Sequence, residues 1–208
     1  MKCLLATANS GKVREIANIL KDLPLDIVSL KDISTFTPVK ETGNSFVANA
    51  RLKAKAYYRQ TGLLTLAEDS GLQVDYLNGR PGVFSARFAG ENASDRDNVR
   101  KLLRELRGVK TEKRTARFVC VIVITDGKKV WIATGQCEGR IATRPSGKSG
   151  FGYDPVFIPK GYNTTFAQLG TGIKNEISHR AQALKKAHRI LERILQRHES
   201  ILARSEIT

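Results

Sequence analysis

The stretch Arg117–Gln136, with the sequence RFVCVIVITDGKKVWIATGQ, decides which kind of sheet this chain builds. Two apolar or alternating segments, Arg117–Thr125 and Lys129–Gln136, flank the dipeptide Asp126-Gly127. An Asp-Gly pair between two strand-like segments is a strong short-range signal for a β-hairpin. The sequence therefore predicts two antiparallel strands joined by a tight turn.

The rest of the chain follows a different pattern, in which short apolar segments alternate with helical ones. The predicted strands are Lys2–Ala6, Leu25–Leu30, and the pair Leu63–Ala67 and Leu72–Tyr76 on either side of an acidic turn. The predicted helices are Gly11–Lys21, Ser45–Gln60, Ser94–Leu106 and Asn175–Gln196. Because alternating strands and helices precede the hairpin, we predict an α/β fold with a mixed sheet.

Composition limits the function classes. The chain has 208 residues, compatible with one domain or one domain of two lobes, and a net charge of +15. This charge favours a polyanionic partner: nucleic acid, an acidic membrane or a nucleoside triphosphate. No apolar segment approaches the roughly 20 residues that span a membrane. Three cysteines, Cys3, Cys120 and Cys137, without an export signal predict reduced thiols in the cytoplasm.

The segment Thr7–Lys12 lies between the first predicted strand and the first helix. Asn9 or Ser10 can cap that helix, and Gly11 allows a ligand to approach the backbone. Free N–H groups at a helix N-terminus attract anions, and Lys12 adds a positive charge. The segment therefore predicts a phosphate site, although an ordinary capped loop would have the same sequence.

Lys53 is predicted to lie on the apolar face of the helix that starts near Ser45. It follows Phe46 by seven residues, which make about two helical turns, whereas Lys55 projects to the opposite side. A lysine on an apolar face either extends to solvent or meets an anion, and a phosphate is a suitable anion. Glu41, just before this helix, is either a partner of the helix dipole or a functional carboxylate.

Two adjacent carboxylates, Glu68 and Asp69, follow the apolar segment Leu63–Ala67 and precede Ser70-Gly71. We interpret this segment as a turn in which the carboxylates repel each other. A hard cation would remove the repulsion, and Mg²⁺ accepts one or two carboxylates while it keeps waters and phosphate oxygens as its other ligands. The alternative is an exposed acidic turn without a ligand.

Two further segments predict recognition of a planar, polar ligand. Gly150-Phe151-Gly152-Tyr153-Asp154-Pro155 predicts a stiff loop that presents Phe151 or Tyr153. Ser178 is a predicted cap for the last helix, which places His179 and Arg180 in its first turn. A positive Arg is unfavourable at that end of a helix, so it indicates an acceptor nearby.

Taken in order, these motifs resemble those of the inosine triphosphate pyrophosphatase family. The resemblance runs from the first predicted strand to the last helix and is specific as an ordered set. The motifs are Thr7-x-Asn9-x-x-Lys12, Glu41-Thr42-Gly43, Asn49-Ala50 with Lys53-Ala54, Asp69-Ser70-Gly71-Leu72, Pro81-Gly82-Val83, Ser85-Ala86-Arg87, Gly150–Pro155 and Ser178-His179-Arg180.

The resemblance implies a long mixed β-sheet with flanking helices that form two lobes around a central cleft, in a single domain over residues 1–208. It implies a homodimer that binds a small-molecule nucleotide as its substrate. It implies no stable nucleic acid partner and no membrane association. The implied activity is Mg²⁺-dependent hydrolysis of noncanonical purine nucleoside triphosphates (ITP, dITP and XTP). The products are the nucleoside monophosphate and pyrophosphate, so these nucleotides are removed from the pool.

The resemblance also implies roles for individual residues. Asp69 is the expected general base, and Glu41, Asp69 and Glu68 are the expected metal ligands. A nearby cation is expected to lower the pKa of Asp69. The expected substrate-binding residues are Thr7, Ala8, Asn9, Ser10, Gly11, Lys12, Lys53 and Ser70 around the phosphates and sugar, and Phe151, Gly152, Tyr153, Asp154, Lys174, His179 and Arg180 around the base.

Selectivity for the base is expected to depend on the 6-position of the purine. A pocket that donates a hydrogen bond to a 6-oxo group leaves that donor facing the 6-amino group of adenine. His179 and Arg180 have no acidic partner one turn away, so we expect them to be the donors. The sequence departs from the family at Ala48 and at Gly172-Ile173, where acidic residues are usual.

Two other function classes compete with this interpretation. A basic nucleic-acid-binding module would explain the charge of +15. It would not explain Glu41, Glu68 and Asp69, which repel a phosphate backbone unless a metal intervenes. A pyrophosphatase of similar fold that acts on ordinary pyrimidine nucleotides would hydrolyse dTTP or UTP in preference to ITP.

Overall fold

The computed structural model describes the backbone of residues 1–205 and the side-chain surroundings of residues 1–200. The strands are β1 (Lys2–Leu5), β2 (Asp26–Ser29), β3 (Leu64–Val74), β4 (Thr115–Thr125), β5 (Val130–Ile141) and β6 (Phe157–Pro159). The α-helices are α1 (Ser10–Ile19), α2 (Phe46–Thr61), α3 (Asp95–Glu105), α4 (Phe166–Ile177) and α5 (His179–Ser205). Short 3₁₀ turns occupy Leu30–Asp32, Asp75–Leu77, Gly82–Arg87 and Thr111–Lys113.

The six strands form one sheet in the order β2-β1-β3-β4-β5-β6. Strand β1 runs parallel to β2 and β3, whereas the pairs β3–β4, β4–β5 and β5–β6 are antiparallel. The predicted α/β fold with a mixed sheet and flanking helices is confirmed, and so is the hairpin around Asp126-Gly127. A single domain of two lobes over residues 1–208 stays a prediction, and residues 206–208 lie outside the described part of the chain.

The acidic turn that the sequence predicted is not formed. Strand β3 is continuous from Leu64 to Val74, and its ladder with β4 includes Glu68, Asp69, Ser70 and Gly71. The local sequence favours a turn, but ten consecutive pairings with β4 hold the segment extended. The two short predicted strands are therefore one strand of 11 residues.

Apolar side chains cover both faces of the sheet. One cluster joins β1, β3 and β4 to helices α1 and α5, with Leu66, Ile122 and Leu184 among its members. A second cluster packs α2 on the opposite face, through Ala50 and Val121. A third lies further along β3, β4 and β5, beneath α3 and the first residues of α4. Cys3, Cys120 and Cys137 are buried and unpaired within these layers.

The predicted last helix, Asn175–Gln196, is two helices. Ser178 has an extended backbone that ends α4, and its Oγ accepts a hydrogen bond from the N–H of Ala181 in the first turn of α5. The prediction that Ser178 caps this helix is confirmed, but the helix continues to Ser205. In the described residues no helix combines the length and the apolar character needed to span a membrane.

The first turn of α5 packs directly onto the sheet at Gly135 of β5. A Cβ atom at Gly135 would lie 2.1 Å from the carbonyl oxygen of His179 and 2.4 Å from the backbone nitrogen of Ala183. Both atoms belong to the backbone, so they cannot move aside as a flexible side chain could. The absence of a side chain at Gly135 therefore sets how closely the start of α5 approaches the strands.

We expect Gly135→Ala to lower the free energy of unfolding by about 1–3 kcal/mol, the usual cost of an extra methyl group in a packed interior. Gly172→Ala is the matched control, because its Cβ meets no atom within 4 Å and it lies in α4, where Ala is favoured over Gly. Urea-induced unfolding of both variants measures the difference. Equal stability of the two variants would show that α5 does not rest on Gly135.

Candidate active site

The candidate site lies where β3 extends beyond the end of β1. The ladder between these strands ends at Leu5 and Leu66, so Glu68–Gly71 have β4 on one edge and no strand on the other. Side chains satisfy part of this open edge instead. The Nζ of Lys53 donates to the Glu68 carbonyl at 2.8 Å, and the Ser85 Oγ accepts from the Leu72 N–H at 2.9 Å.

The segment Thr7–Lys12 turns from β1 into α1 beside this edge. Asn9 is the N-cap of α1, and its Oδ1 accepts the Lys12 N–H at 3.1 Å. The Thr7 Oγ1 accepts the Asn9 N–H at 3.2 Å, which closes the loop. Gly11 lets the ring of Phe151 approach, because a Cβ there would lie 3.2 Å from two ring carbons. The predicted cap is confirmed, and the loop adjoins the aromatic segment.

The alternation of side chains along β3 separates the two carboxylates that we expected to share a cation. Glu68 pairs across the ladder with Ile122 on the face covered by α5, whereas Asp69 pairs with Val121 on the face covered by α2. Successive side chains of a strand point to opposite faces. Glu68 and Asp69 therefore point away from each other and have different hydrogen-bond partners.

On the α2 face, Asp69 is held by two side chains of that helix. The Nδ2 of Asn49 donates to the Asp69 Oδ2 at 3.1 Å, and the Lys53 Nζ lies 3.8 Å from the Asp69 Oδ1. Lys53 is buried and Lys55 is exposed, so the predicted helix phase is confirmed. Burial raises the pKa of the Asp69 carboxyl, and the Lys53 ammonium offsets this only in part. In the protein alone desolvation outweighs the nearby charge, and the lowering expected beside a bound cation stays a prediction.

Glu41 and Asp69 form the pair of carboxylates that suits a divalent cation. Both approach one ammonium group, since the Lys53 Nζ lies 2.6 Å from the Glu41 Oε1 and 3.8 Å from the Asp69 Oδ1. The Glu41 charge also raises the pKa of Asp69. Two carboxylates fit Mg²⁺, which keeps waters and phosphate oxygens as its other ligands. Within the described residues, three or more His, Cys, Asp or Glu side chains nowhere come together in an arrangement that could hold a metal, so the protein would supply only these two carboxylates.

On the other face, the Glu68 carboxylate is engaged by Arg180. The Arg180 Nε and Nη2 donate to the Glu68 Oε2 and Oε1 at 2.8 and 2.9 Å, and the Lys12 Nζ lies 3.3 Å from Oε1. Burial acts to raise the pKa of Glu68, but the charges and hydrogen bonds of Arg180 and Lys12 hold it well below its usual value. In this arrangement both oxygens of Glu68 serve cationic side chains of the protein.

These contacts belong to a longer chain of alternating charges. The Arg180 Nη1 also donates to Glu15 of α1, and the other Glu15 oxygen lies 3.2 Å from the Lys174 Nζ. Lys174 in turn donates to the Asp154 Oδ2 at 2.6 Å. Glu15 was not among the predicted site residues. Its only signal in the sequence is its position three residues after Lys12, on the same face of α1.

The loop Gly150–Pro155 presents Phe151 and turns Tyr153 inward. Asp154 fixes the loop, because its Oδ2 accepts the Phe151 N–H at 2.9 Å. The Tyr153 hydroxyl donates to the Ser85 carbonyl in the interior, and burial raises the pKa of Tyr153. The Lys174 Nζ lies 4.2 Å from the centre of the Phe151 ring. The structure thus distinguishes the two aromatic candidates, and Phe151 is the one at the rim.

His179 forms an uncharged wall of the same region. Its ring stacks on Phe118, with centroids 4.7 Å apart and an interplanar angle of 11°. Burial and the charge of Arg180 hold the pKa of His179 well below its usual value, so the imidazole is neutral at pH 7. Its Nδ1 is buried without a hydrogen-bond partner among the described residues.

A cavity of about 130 Å³ brings together many of the predicted substrate-binding residues. Its walls include Asn9, Lys12, Ser70, Phe151, Gly152, Tyr153, Asp154, Lys174, His179 and Arg180. A neighbouring cavity of about 420 Å³ is lined by Ser10, Gly11 and Phe151. Glu41, Lys53 and Asp69 do not line either cavity, because they lie on the α2 face. Asp95, which lines both, was not predicted, and its Oδ2 accepts the Gly152 N–H at 2.7 Å.

The chain is similar to known proteins over most of its length. The sequence profile of the Ham1 family matches residues 3–190. The dITP/XTP pyrophosphatase of Desulforamulus reducens is 51% identical over 195 residues, which cover 93% of this chain and 97% of that protein. The dITP/XTP pyrophosphatase of Bacillus licheniformis is 48% identical over 190 residues, or 91% of this chain and 97% of that protein.

Solved structures agree with the sequence matches. The structure of a Ham1 protein from Coxiella burnetii superposes with a TM-score of 0.86 at 41% identity, and the match covers 93% of this chain and 99% of that one. The Staphylococcus aureus Ham1 protein gives a TM-score of 0.83 at 37% identity, over 92% and 98% of the two chains. The chain belongs to the Ham1 family.

Proposed function

We propose that this protein hydrolyses noncanonical purine nucleoside triphosphates, ITP, dITP and XTP, to the nucleoside monophosphate and pyrophosphate. The observation that carries the proposal is the match, along nearly the full lengths of both chains, to relatives named dITP/XTP pyrophosphatases. That name favours purine substrates over the alternative of ordinary pyrimidine nucleotides. The cavity among Lys12, Phe151 and His179 supports it, because it joins an anion-binding loop to an aromatic and polar pocket.

The phosphates are proposed to bind along the open edge of β3. The Thr7–Lys12 loop supplies backbone N–H groups at the start of α1, where the helix dipole favours negative charge. Lys12 keeps part of its side chain in solvent and is held by a single carboxylate at 3.3 Å, so its ammonium can turn toward a phosphate. Ser70 lies on the same face of β3 as Glu68, the carboxylate that holds Lys12, and adds a hydroxyl donor.

We propose that the reaction uses Mg²⁺ held by Glu41 and Asp69. The cation would neutralise the charge on the phosphates and lower the pKa of a bound water. Asp69 has the geometry of a general base, because Asn49 and Lys53 fix its carboxylate at the strand edge. Glu68, which we expected to bind the metal, is better suited to position Arg180, since Arg180 and Lys12 already occupy both of its oxygens.

The base is proposed to lie against Phe151, with His179, Lys174 and Arg180 around its polar edge. Arg180 cannot offer its whole guanidinium to a 6-oxo group, because Nε and Nη2 bind Glu68 and Nη1 binds Glu15. His179 is neutral and its buried Nδ1 has no hydrogen-bond partner among the described residues, so the tautomer protonated at Nδ1 can donate a hydrogen bond without a net charge. A donor held in this position disfavours adenine, because the imidazole N–H would then face the N–H groups of the 6-amino group with no acceptor between them.

We further propose that the protein is a homodimer and acts in the cytoplasm. Val130 and Ile132 are exposed on the face of β5 opposite to α5, and α2 does not extend far enough to cover them. They leave apolar surface for a second copy of the chain. The three buried and unpaired cysteines fit a reducing compartment. Light scattering of the purified protein measures its mass in solution.

The products of a nucleotide panel test the proposed reaction. Incubated with Mg²⁺, the protein should release pyrophosphate from ITP, dITP and XTP, and far less from ATP, GTP, dTTP or UTP. Ion-exchange chromatography separates the monophosphate and pyrophosphate from a diphosphate and orthophosphate. Orthophosphate as the first product would contradict cleavage between the α- and β-phosphates, and preference for dTTP or UTP would favour the pyrimidine alternative.

Asp69→Asn tests the general base. The substitution keeps the shape of the side chain but removes its charge and basicity, so we expect kcat for ITP to fall by at least ~10²-fold. Binding of ITP, measured by calorimetry, should persist in part because Lys12 and the α1 loop remain. Turnover close to that of the unaltered protein would show that another group accepts the proton.

Lys53→Ala and Lys55→Ala form a matched pair on one helix. Lys53 is buried between Glu41 and Asp69, whereas Lys55 is exposed. Lys53→Ala should reduce kcat/KM for ITP by the equivalent of roughly 1.5–3 kcal/mol, the range for a hydrogen bond to a charged group. Lys55→Ala should change little. Equal losses would mean that Lys53 has no special role at the site, provided that urea unfolding finds both variants folded.

A further inference from the structure

A second concave surface lies at the other end of the sheet. Two adjoining cavities of about 570 and 510 Å³ share Trp131, Ile194 and Arg197. Lys2, which starts β1, lines this surface, whereas the Thr7–Lys12 loop follows the opposite end of the same strand. The surface is therefore separate from the candidate active site. We call it the Trp131 groove, and its defining residues are Lys2, Lys128, Lys129, Trp131, Arg193 and Arg197.

The Trp131 groove is strongly basic. In the described part of the chain, five cationic side chains line its two cavities, against the single carboxylate of Asp126. The Asp126 Oδ1 accepts the backbone N–H groups of Lys128 and Lys129 at 2.9 and 2.6 Å, so it closes the hairpin turn. Around the active site the cations are paired with carboxylates. Among residues 1–200, none of the five groove cations forms an ion pair, so their charge faces solvent.

The basic side chains form a row along one side of α5. Arg193 and Arg197 are four residues apart, about one helical turn. Seven residues before Arg193, Lys186 donates to the carbonyl of Thr134 on β5 at 2.7 Å and continues the row. From Lys186 to Arg197 the row is about 16 Å long, since each helical residue rises about 1.5 Å. The positive charge is therefore spread along the edge of the sheet and is not concentrated at one position.

Trp131 supplies an aromatic surface within this row. Part of its indole packs against the core, as Ile190 and Ile194 do, and the remainder lines both cavities. An aromatic side chain in a basic groove is the combination with which proteins bind single-stranded nucleic acid: bases stack on the ring and cations follow the backbone. A membrane surface would instead need a broad exposed apolar helix face, but Ile190 and Ile194 are partly buried against the core and have Arg193 and Arg197 beside them.

We propose that the Trp131 groove binds single-stranded nucleic acid, with a base stacked on Trp131 and phosphates bound by Arg193, Arg197 and Lys129. The argument against a basic nucleic-acid-binding module rested on repulsion by Glu41, Glu68 and Asp69. Those carboxylates lie near the far end of β1 and do not line this groove. The proposal is independent of the proposed hydrolysis, and it accounts for part of the net charge of +15.

The fluorescence of Trp131 reports binding directly, because the chain has one tryptophan. The probe is a single-stranded oligonucleotide of mixed sequence and about 20 nucleotides, longer than the roughly 4–16 nucleotides of comparable sites. We expect a saturable change in tryptophan emission that weakens as salt increases. Unchanged emission, together with no change in the anisotropy of a labelled oligonucleotide at low salt, would overturn the proposal.

Paired substitutions locate the binding site. Arg193→Gln with Arg197→Gln should weaken binding by about tenfold or more, the equivalent of at least one charge-assisted hydrogen bond. The slope of log K against log salt should become shallower by about 1.4, since each phosphate contact on a single strand contributes about 0.7. The control is Arg96→Gln with Arg100→Gln, an exposed pair on α3 with the same spacing and charge change. Equal weakening by both pairs would overturn the proposal, because binding would then be diffuse.

Trp131→Leu and Trp131→Phe test the stacking. Anisotropy of the labelled oligonucleotide should show weaker binding for Trp131→Leu and recovery with Trp131→Phe, while binding of inorganic polyphosphate should be similar in both. Loss of polyphosphate and oligonucleotide binding to the same extent would contradict a role in stacking. Tighter binding to vesicles that contain acidic lipid than to the oligonucleotide would favour a membrane instead. Unchanged ITP hydrolysis in each variant confirms that the variant is folded. If the protein does not hydrolyse ITP, urea unfolding followed by a signal other than tryptophan fluorescence serves as the folding control.

Discussion

The site depends on the length by which β3 exceeds β1. Because β1 ends at Leu5 while β3 continues to Val74, one edge of Glu68–Gly71 has no neighbouring strand. That edge is open to Lys53 and Ser85, which bind backbone groups that a strand would otherwise use. The pleat then sends consecutive side chains to opposite faces. Four consecutive residues thereby serve two different environments, one organised by α2 and one by α5.

The α5 face is organised by buried charges. Asp154, Lys174, Glu15, Arg180, Glu68 and Lys12 alternate in sign, three negative and three positive, so the chain of contacts has no net charge. Buried ion pairs contribute little net stability, because desolvation costs several kcal/mol for each ion. Their effect here is geometric. The pairs tie α1, β3, α4, α5 and the Phe151 loop to one another, so the phosphate side and the base side of the cavity have a fixed separation.

Local rules predicted much of this fold and failed where partners distant in sequence decide the outcome. Asn9, Ser45 and Ser178 cap helices as their residue types predict, and helical periodicity placed Lys53 inward. The segment Glu68–Gly71 has the composition of a turn, but hydrogen bonds to β4 keep it extended. Local propensity carries no information about a ladder that forms some fifty residues later, and tertiary context commonly overrides it.

The candidate site was predictable as a set of residues but not as a set of contacts. A sequence indicates which side chains carry charge, whereas pairing depends on how close the helices come. Glu15 was missed because its partners, Lys174 and Arg180, are more than 150 residues away in the chain. The raised pKa of Asp69 in the protein alone was not foreseen for a related reason. Its direction depends on how thoroughly α2 excludes water, and the sequence does not give the extent of that burial.

The buried cysteines determine how the protein responds to reactive chemicals. Burial raises the pKa of Cys3 and of Cys137 to about 12, and that of Cys120 well above its usual value. At neutral pH only about one thiol in 10⁵ is then ionised at a pKa of 12, and the thiolate is the form that attacks electrophiles. Cys120 lies opposite Ser70 in the ladder, at the centre of the site. Thiol-directed alkylating agents therefore find these three cysteines buried and un-ionised in the folded protein.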